Sequence, residues 1–249
     1  MSPTLTTLIV FGCAFGGAML GMWLGRVLPE HHLTTETRSV ISFGVGLIGT
    51  MSALLLSLLI ASAKTSFDAR KGELTQMAAN ALLLDRALAH YGPETRDIRS
   101  GLRVTVERLI DQLWTKNATF EASNYRIGGE VLFDQIQALS PHSDAQRALQ
   151  TTAESLVISF GQTRLLLFEQ NETSISTPFL VVVVFWLSTL LVAFGLFAPR
   201  NLTAVASLLV VSFSAALALF LILELDHPFS GLIQIPSAPL RNTLAMVGQ

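Results

Sequence analysis

Hydrophobic positions along this chain follow two different regimes. In residues 5–25, 40–63, 178–198 and 202–223 there is no Asp, Glu, Lys, Arg or His, and apolar residues occupy nearly every side of each turn. A helix rises about 1.5 Å per residue and a bilayer's hydrocarbon core is about 30 Å thick, so each run is long enough to span it. Soluble helices keep a polar face, which these runs lack. The pattern predicts an integral membrane protein with two pairs of spans.

Between the pairs, apolar residues recur at every third or fourth position among charges, the signature of amphipathic helices. Nothing breaks the second span at residue 63. Phe67, Leu74, Met77, Ala81, Leu84 and Leu88 continue its periodicity until Gly92-Pro93 supplies a stop, predicting one long helix. Ile98, Leu102, Val106, Leu109 and Leu113 mark the next helix. From 117 to 129 the pattern lapses into Asn and Gly, which predicts a loop. A short helix over 130–139 follows, closed by Ser140-Pro141. A longer one runs over 143–168, with Leu149, Ala153, Leu156, Phe160 and Leu167 inward. The tail from Ser237 reads as a short surface helix, with Ser237 as N-cap and Pro239 in its first turn. Strand alternation is nowhere sustained. The expected fold is all-α, with four transmembrane helices in two hairpins flanking a cytoplasmic helical bundle. Its parts are hairpin 1 (1–63), the bundle (64–176), hairpin 2 (177–225) and a cytoplasmic tail (226–249).

Charge sets the orientation. Lys64, Arg70 and Lys71, with Arg164 and Arg241 farther off, lie on the side shared by the termini and the middle segment, against Arg26, Arg38 and Arg200 in the two turns. That bias favours a multi-pass protein of the cell inner membrane with both termini cytoplasmic, so the sequons at Asn117, Asn171 and Asn201 read as chance matches. The segment before the first span holds no Lys or Arg, which favours a true span over a cleaved signal peptide. The net charge of -2 comes with no basic stripe, which argues against a nucleic-acid partner. The lone Cys13 leaves no intrachain disulfide.

Gly44-Val45-Gly46-Leu47-Ile48-Gly49 matches the dinucleotide fingerprint, but that motif needs a preceding strand and a water-exposed helix start. Inside an uncharged span it implies no cofactor. Gly17, Gly21 and Gly25 form a small-residue face of the helix-packing kind. A second stripe holds Ser42, Gly46, Gly49, Ala53 and Ser57, flanked by Thr50. Such a face either packs on another helix or lines a narrow pore with hydroxyls and backbone. The absence of mid-span ionisable groups counts against proton-coupled transport. Glu224 and Asp226, at the end of the fourth span where the helix dipole is negative, form either a salt-bridged helix exit or an ion or gating site. The adjacent His31-His32 make a poor chelate, and no metal site is expected. No Walker loop, H-E-x-x-H or G-x-S-x-G is found, so an enzyme is not expected.

Three stretches together carry a family likeness. They are residues 81–94, with Asp85-Arg86 and His90-Tyr91-Gly92-Pro93; residues 177–201, from Thr177-Pro178-Phe179 through Phe185-Trp186 to Pro199-Arg200-Asn201; and residues 223–231, with Glu224, Asp226 and Pro228-Phe229-Ser230-Gly231. The chain resembles the bestrophin-like family of bacterial membrane proteins, with His227 where an Arg is expected. The resemblance implies a homo-oligomer, a pentamer, conducting inorganic ions passively, with chloride favoured. Other readings are a cation-selective channel and a non-conducting scaffold whose cytoplasmic bundle binds a partner. The bilayer itself is the remaining expected partner.

Overall fold

The computed structural model describes residues 3–29, 31, 34–114, 122–169 and 177–248, with the backbone alone for 122–128, 168–169 and 177. Among these residues every regular element is helical: α1 (Pro3–Val27), α2 (Thr35–Tyr91), α3 (Arg96–Trp114), α4 (Ala122–Gln137), α5 (Asp144–Glu169), α6 (Thr177–Phe197), α7 (Leu202–Leu225) and α8 (Ala238–Met246). Four of them, α1, α2, α6 (from Pro178) and α7, are long and apolar enough to cross a membrane. The chain divides into two compact units. One comprises 1–66 and 173–227, the other 67–172 and 228–249. The 57-residue α2 contributes to both.

In the first unit, α1 lies against α6 at very close range. A Cβ added at Gly21 would overlap the Val192 carbonyl, one at Gly25 would come within 2.5 Å of the Leu196 carbonyl oxygen, and one at Gly195 would overlap the Ala18 carbonyl. The two backbones therefore touch, with glycine on both sides. In lipid this close van der Waals packing replaces the hydrophobic driving force that water would supply. Val10, Leu59, Ala63, Val183, Ala216, Leu219 and Ile222 form the apolar core of this unit, and Ala14, Ala18, Leu191 and Leu208 a second cluster. The helix ends are tied by side chains. Arg200 donates from Nη2 to the Gly25 carbonyl at 2.7 Å, and the Asn201 side chain accepts the Ala204 N–H at 2.8 Å as the N-cap of α7. Asn201 therefore has a capping role. Asn117 and Asn171 lie outside the described residues.

The second unit buries Phe67, Leu74, Met77, Ala81, Leu84 and Leu88 of α2 together with Ile98, Leu102, Val106, Leu109 and Leu113 of α3. The turn between them requires Gly92. Its φ is +146°, and an added Cβ would collide with the Glu94 carboxylate. Thr95 locks the corner, its hydroxyl donating to the Leu88 carbonyl at 2.6 Å. Ser143 and Gln146 cap the start of α5. The Ser143 hydroxyl accepts the Gln146 N–H at 3.1 Å, and Gln146 Oε1 accepts the His142 N–H at 2.8 Å. Gln150 donates to the Ile136 carbonyl at 2.9 Å, satisfying one of the orphan acceptors at the end of α4.

Two local expectations are corrected. Residues 122–129, expected as loop, are the first half of α4, while 117–121 lie outside the described residues. Asn and Gly disfavour a helix by only about 0.7–1 kcal/mol each. The rest of α4 buries Leu132 and Ile136 completely enough to outweigh that, with Leu132 against Gly101 of α3. Ser237 precedes α8 and a proline stands in its first turn, but the serine side chain makes no capping bond and its backbone is already helical.

Candidate functional site

The stripe Ser42, Gly46, Gly49, Thr50, Ala53 and Ser57 lies on α2 well inside a continuous helix. Gly44, Gly46 and Gly49 have no strand before them and are far from the helix start. All six are exposed within one chain except the half-buried Gly49. A Cβ added at Gly46 would meet nothing within 4 Å, and one at Gly49 would just reach the Leu190 side chain at 4.0 Å. The Thr50 hydroxyl donates back to the Leu47 carbonyl at 2.8 Å.

The structure splits this stripe in two. Ser42, Gly46 and Gly49 form the α2 wall of a cleft of about 620 Å³, opposite Leu190, Ala193, Phe194 and Phe197 of α6, with Arg38 at one end. Thr50, Ala53 and Ser57 continue the stripe along the open face, beyond the cleft. Next to it α2 exposes a second, bulky face: Val40, Phe43, Leu47, Leu54 and Leu58. At 100° per residue these residues follow the stripe around the helix. The opposite side carries Leu59 and Ala63 into the core of the unit. Ser52, on the inward side, is buried with no hydrogen-bond partner for its hydroxyl. The sequence reading passed over it because one serine in an apolar span carries no pattern.

Gly17, Gly21 and Gly25 all stand against α6 of the same chain, with Ser188, Val192 and Leu196 as neighbours. Glu224, in the last turn of α7, and Asp226, its C-cap residue, are both buried, and both are engaged by partners. His227 closes the turn through its ring nitrogen, 2.9 Å from the Leu223 carbonyl. His31 is exposed and also engaged, while His32 lies outside the described residues. No group of three or more His, Cys, Asp or Glu suited to a metal ion occurs among the described residues.

In the second unit Asp85, read from the sequence as a structural pair with Arg86 on an amphipathic helix, is the centre of a polar hub. Asp85 is fully buried and pairs with Arg99 of α3 rather than with its neighbour Arg86. The guanidinium approaches in a fork, Nε to Oδ1 at 2.8 Å and Nη2 to Oδ2 at 3.1 Å. That hydrogen bond, more than the burial opposing it, holds the Arg99 guanidinium above its ordinary pKa. Oδ1 also accepts the Gly248 N–H at 3.2 Å, and Arg103 donates to the Val247 carbonyl at 3.3 Å, so the chain's last turn is pinned to the α2–α3 corner. Burial, followed by the Glu94 carboxylate, raises the pKa of the nearby Tyr91 phenol.

The Pro228-Phe229-Ser230-Gly231 motif is a structural loop. Gly231 has φ +96°, the Ile235 N–H donates to the Pro228 carbonyl at 2.8 Å, and Trp114 holds the loop from outside. The indole meets Phe229 edge-on at 5.5 Å between ring centroids and donates from Nε1 to the Ile235 carbonyl at 3.0 Å.

The sequence model of the family described as Bestrophin-like domain matches residues 12–240 of the chain. Among solved structures, a bacterial bestrophin homologue from Klebsiella pneumoniae, crystallised as a tryptophan-to-alanine mutant, superposes with a TM-score of 0.71 at 16% identity, covering 100% of this chain and 99% of that one. An isoleucine-to-threonine mutant of the homologue gives 0.70 at 16% identity, covering 98% and 100%. No curated protein sequence matches. At this level of identity the structural likeness is one of fold.

Proposed function

Since the chain belongs to the bestrophin-like family, we propose that it is a membrane ion channel: a cyclic homo-oligomer, a pentamer by family resemblance, that conducts inorganic ions passively. The observation that carries the reading is the uncovered stripe on α2. Ser42, Gly46, Thr50, Ala53 and Ser57 are exposed within one chain, in a segment whose larger side chains are Leu, Ile, Val, Phe and Met. Hydroxyls and bare glycine backbone gain little from hydrocarbon, whereas they suit a narrow aqueous path. A single four-helix unit has no room for such a path between its own helices, so several copies arranged around an axis are required. In this reading Ser42, Gly46, Gly49, Thr50, Ala53 and Ser57 line the pore, and Glu224 with Asp226 forms an ion or gating site at the end of α7.

The topology that goes with this proposal has residues 1–63 and 177–225 as two hairpins of the cell inner membrane. Residues 64–176 form a cytoplasmic helical bundle, and 226–249 a cytoplasmic tail, with both termini inside. Chloride is the favoured ion, from the family resemblance; the two carboxylates are the feature that would favour a cation. Purified protein in planar bilayers under a potassium chloride gradient decides between them. A reversal potential near the chloride equilibrium value is expected, and one near the potassium value makes the channel cation-selective. No current in bilayers and no flux in liposomes overturns conduction and leaves the scaffold reading.

A further inference from the structure

The stripe on α2 begins one helical turn after an arginine. Arg38 precedes Ser42 by one i, i+4 step, so the two stand about 40° apart around the helix. Arg38 is exposed, at the end of the cleft whose α2 wall carries Ser42, Gly46 and Gly49. Its guanidinium carbon lies 5.6 Å from the centroid of the ring of Phe197, the last residue of α6. That cation–π contact fixes where the charge sits without neutralising it. Between Arg38 and Lys64 the sequence holds no other charge, so Arg38 is the formal charge that borders the stripe at this end. At about 1.5 Å per residue it lies about 28 Å from Ser57, close to the thickness of the hydrocarbon core. It therefore stands at one mouth of any path that the stripe lines. Glu36 is the carboxylate described at the start of α2, and it projects about 160° away around the helix. Glu224 and Asp226 belong to the other end, because α7 starts just after the Phe197 end of α6 and they close its last turn.

We propose, resting on the channel reading above, that Arg38 is the charge-selecting residue of the outer mouth. In a ring of copies its guanidiniums form a collar of one sign, which concentrates small inorganic anions at the entrance and repels cations. Like charges set on low-dielectric walls focus the field into the opening and raise the local counter-ion concentration. Ile41, Val45, Phe194 and Phe197 supply such walls beside Arg38. The guanidinium stays protonated at any working pH, so the collar is permanent. Glu224 and Asp226 do not cancel it. They are buried, whereas Arg38 is exposed, and an ion approaching from outside meets the exposed charge first.

The test is single-channel recording of the purified protein in planar bilayers, in potassium chloride from about 0.01 M to about 1 M. Over that range the Debye length falls from about 30 Å to about 3 Å. Arg38→Gln should lower the chloride conductance about tenfold in the dilute solution and less than about twofold in the concentrated one. Arg38→Lys keeps the charge and should stay near wild type, while Arg38→Glu should move the reversal potential toward the potassium value. Arg26→Gln removes a charge at the end of α1, outside the stripe, and should leave the conductance within about twofold. Arg38→Met keeps an apolar stem against Phe197 and replaces the glutamine variant if that one fails to assemble. Conductance and reversal potential equal to wild type in Arg38→Gln at low salt would overturn the inference and leave the channel standing. An equal loss in Arg26→Gln would also overturn it, reducing Arg38 to general surface charge. No current from wild type or any variant would remove the channel reading itself, and the collar with it.

Discussion

At the residue scale the most consequential group is Asp85, a carboxylate with no solvent exposure. Its partner Arg99 keeps 16% of its side chain exposed, so the two halves of the pair are not equivalent. Arg99→Ala strands a buried carboxylate with little beyond the Gly248 N–H to satisfy it. A loss of about 3–5 kcal/mol is expected, the range for breaking a buried pair. Asp85→Ala leaves an arginine that water can reach, and about 1–3 kcal/mol is expected. The double variant should cost clearly less than the two together. Denaturant unfolding of the solubilised protein, run as a double-mutant cycle, checks this, and additive losses of equal size would refute the coupling. The sequence shows that Asp85 sits on an amphipathic helix but not its partner. Adjacent residues on a helix point about 100° apart, so Arg86 is poorly placed. Arg99 comes within reach only because the Gly92 turn folds α3 back.

At the element scale α2 shows what was legible and why. Its one span and its continuity could be read from composition and period, because membrane solvation demands a long uncharged run and a helix needs an explicit stop, which Gly92-Pro93 provides. The start of α4 could not, since propensities of under about 1 kcal/mol per residue yield to packing. The role of the stripe on α2 also could not be read, because small residues serve packing and conduction alike. The structure makes the stripe testable residue by residue. Ala53 is exposed within the chain, whereas Gly49 sits beside Leu190. If the stripe lines a pore, Ala53→Leu narrows the path and lowers single-channel conductance while the oligomer assembles normally. Gly49→Leu additionally presses on α6 and should cost about 1–3 kcal/mol of stability. Normal assembly with unchanged conductance in Ala53→Leu would remove the stripe from the pore and pass the role to the bulky face of Phe43, Leu47, Leu54 and Leu58.

At the scale of the whole molecule, a single copy leaves one face of α2, the longest described element, bare along its apolar part. Val40 is 73% exposed, Phe43 80% and Leu54 73%. In water such a face would demand a partner. In a bilayer it does not, because lipid tails are as apolar as leucine and helix association must come from close packing instead. The number of copies is therefore the feature least legible in this sequence, whereas the α1–α6 contact, glycine against backbone, was partly visible in the Gly17, Gly21, Gly25 spacing. The proposed assembly has a direct consequence for mass. Light scattering of the detergent-solubilised protein, corrected for bound detergent, should give a particle of five times 27.0 kDa, with no dependence on dilution across the micromolar range. A stable particle of another ring size would revise the copy number and keep the ring. A particle of one copy at every concentration would leave the stripe without a lumen to line, and the channel reading would fall with it.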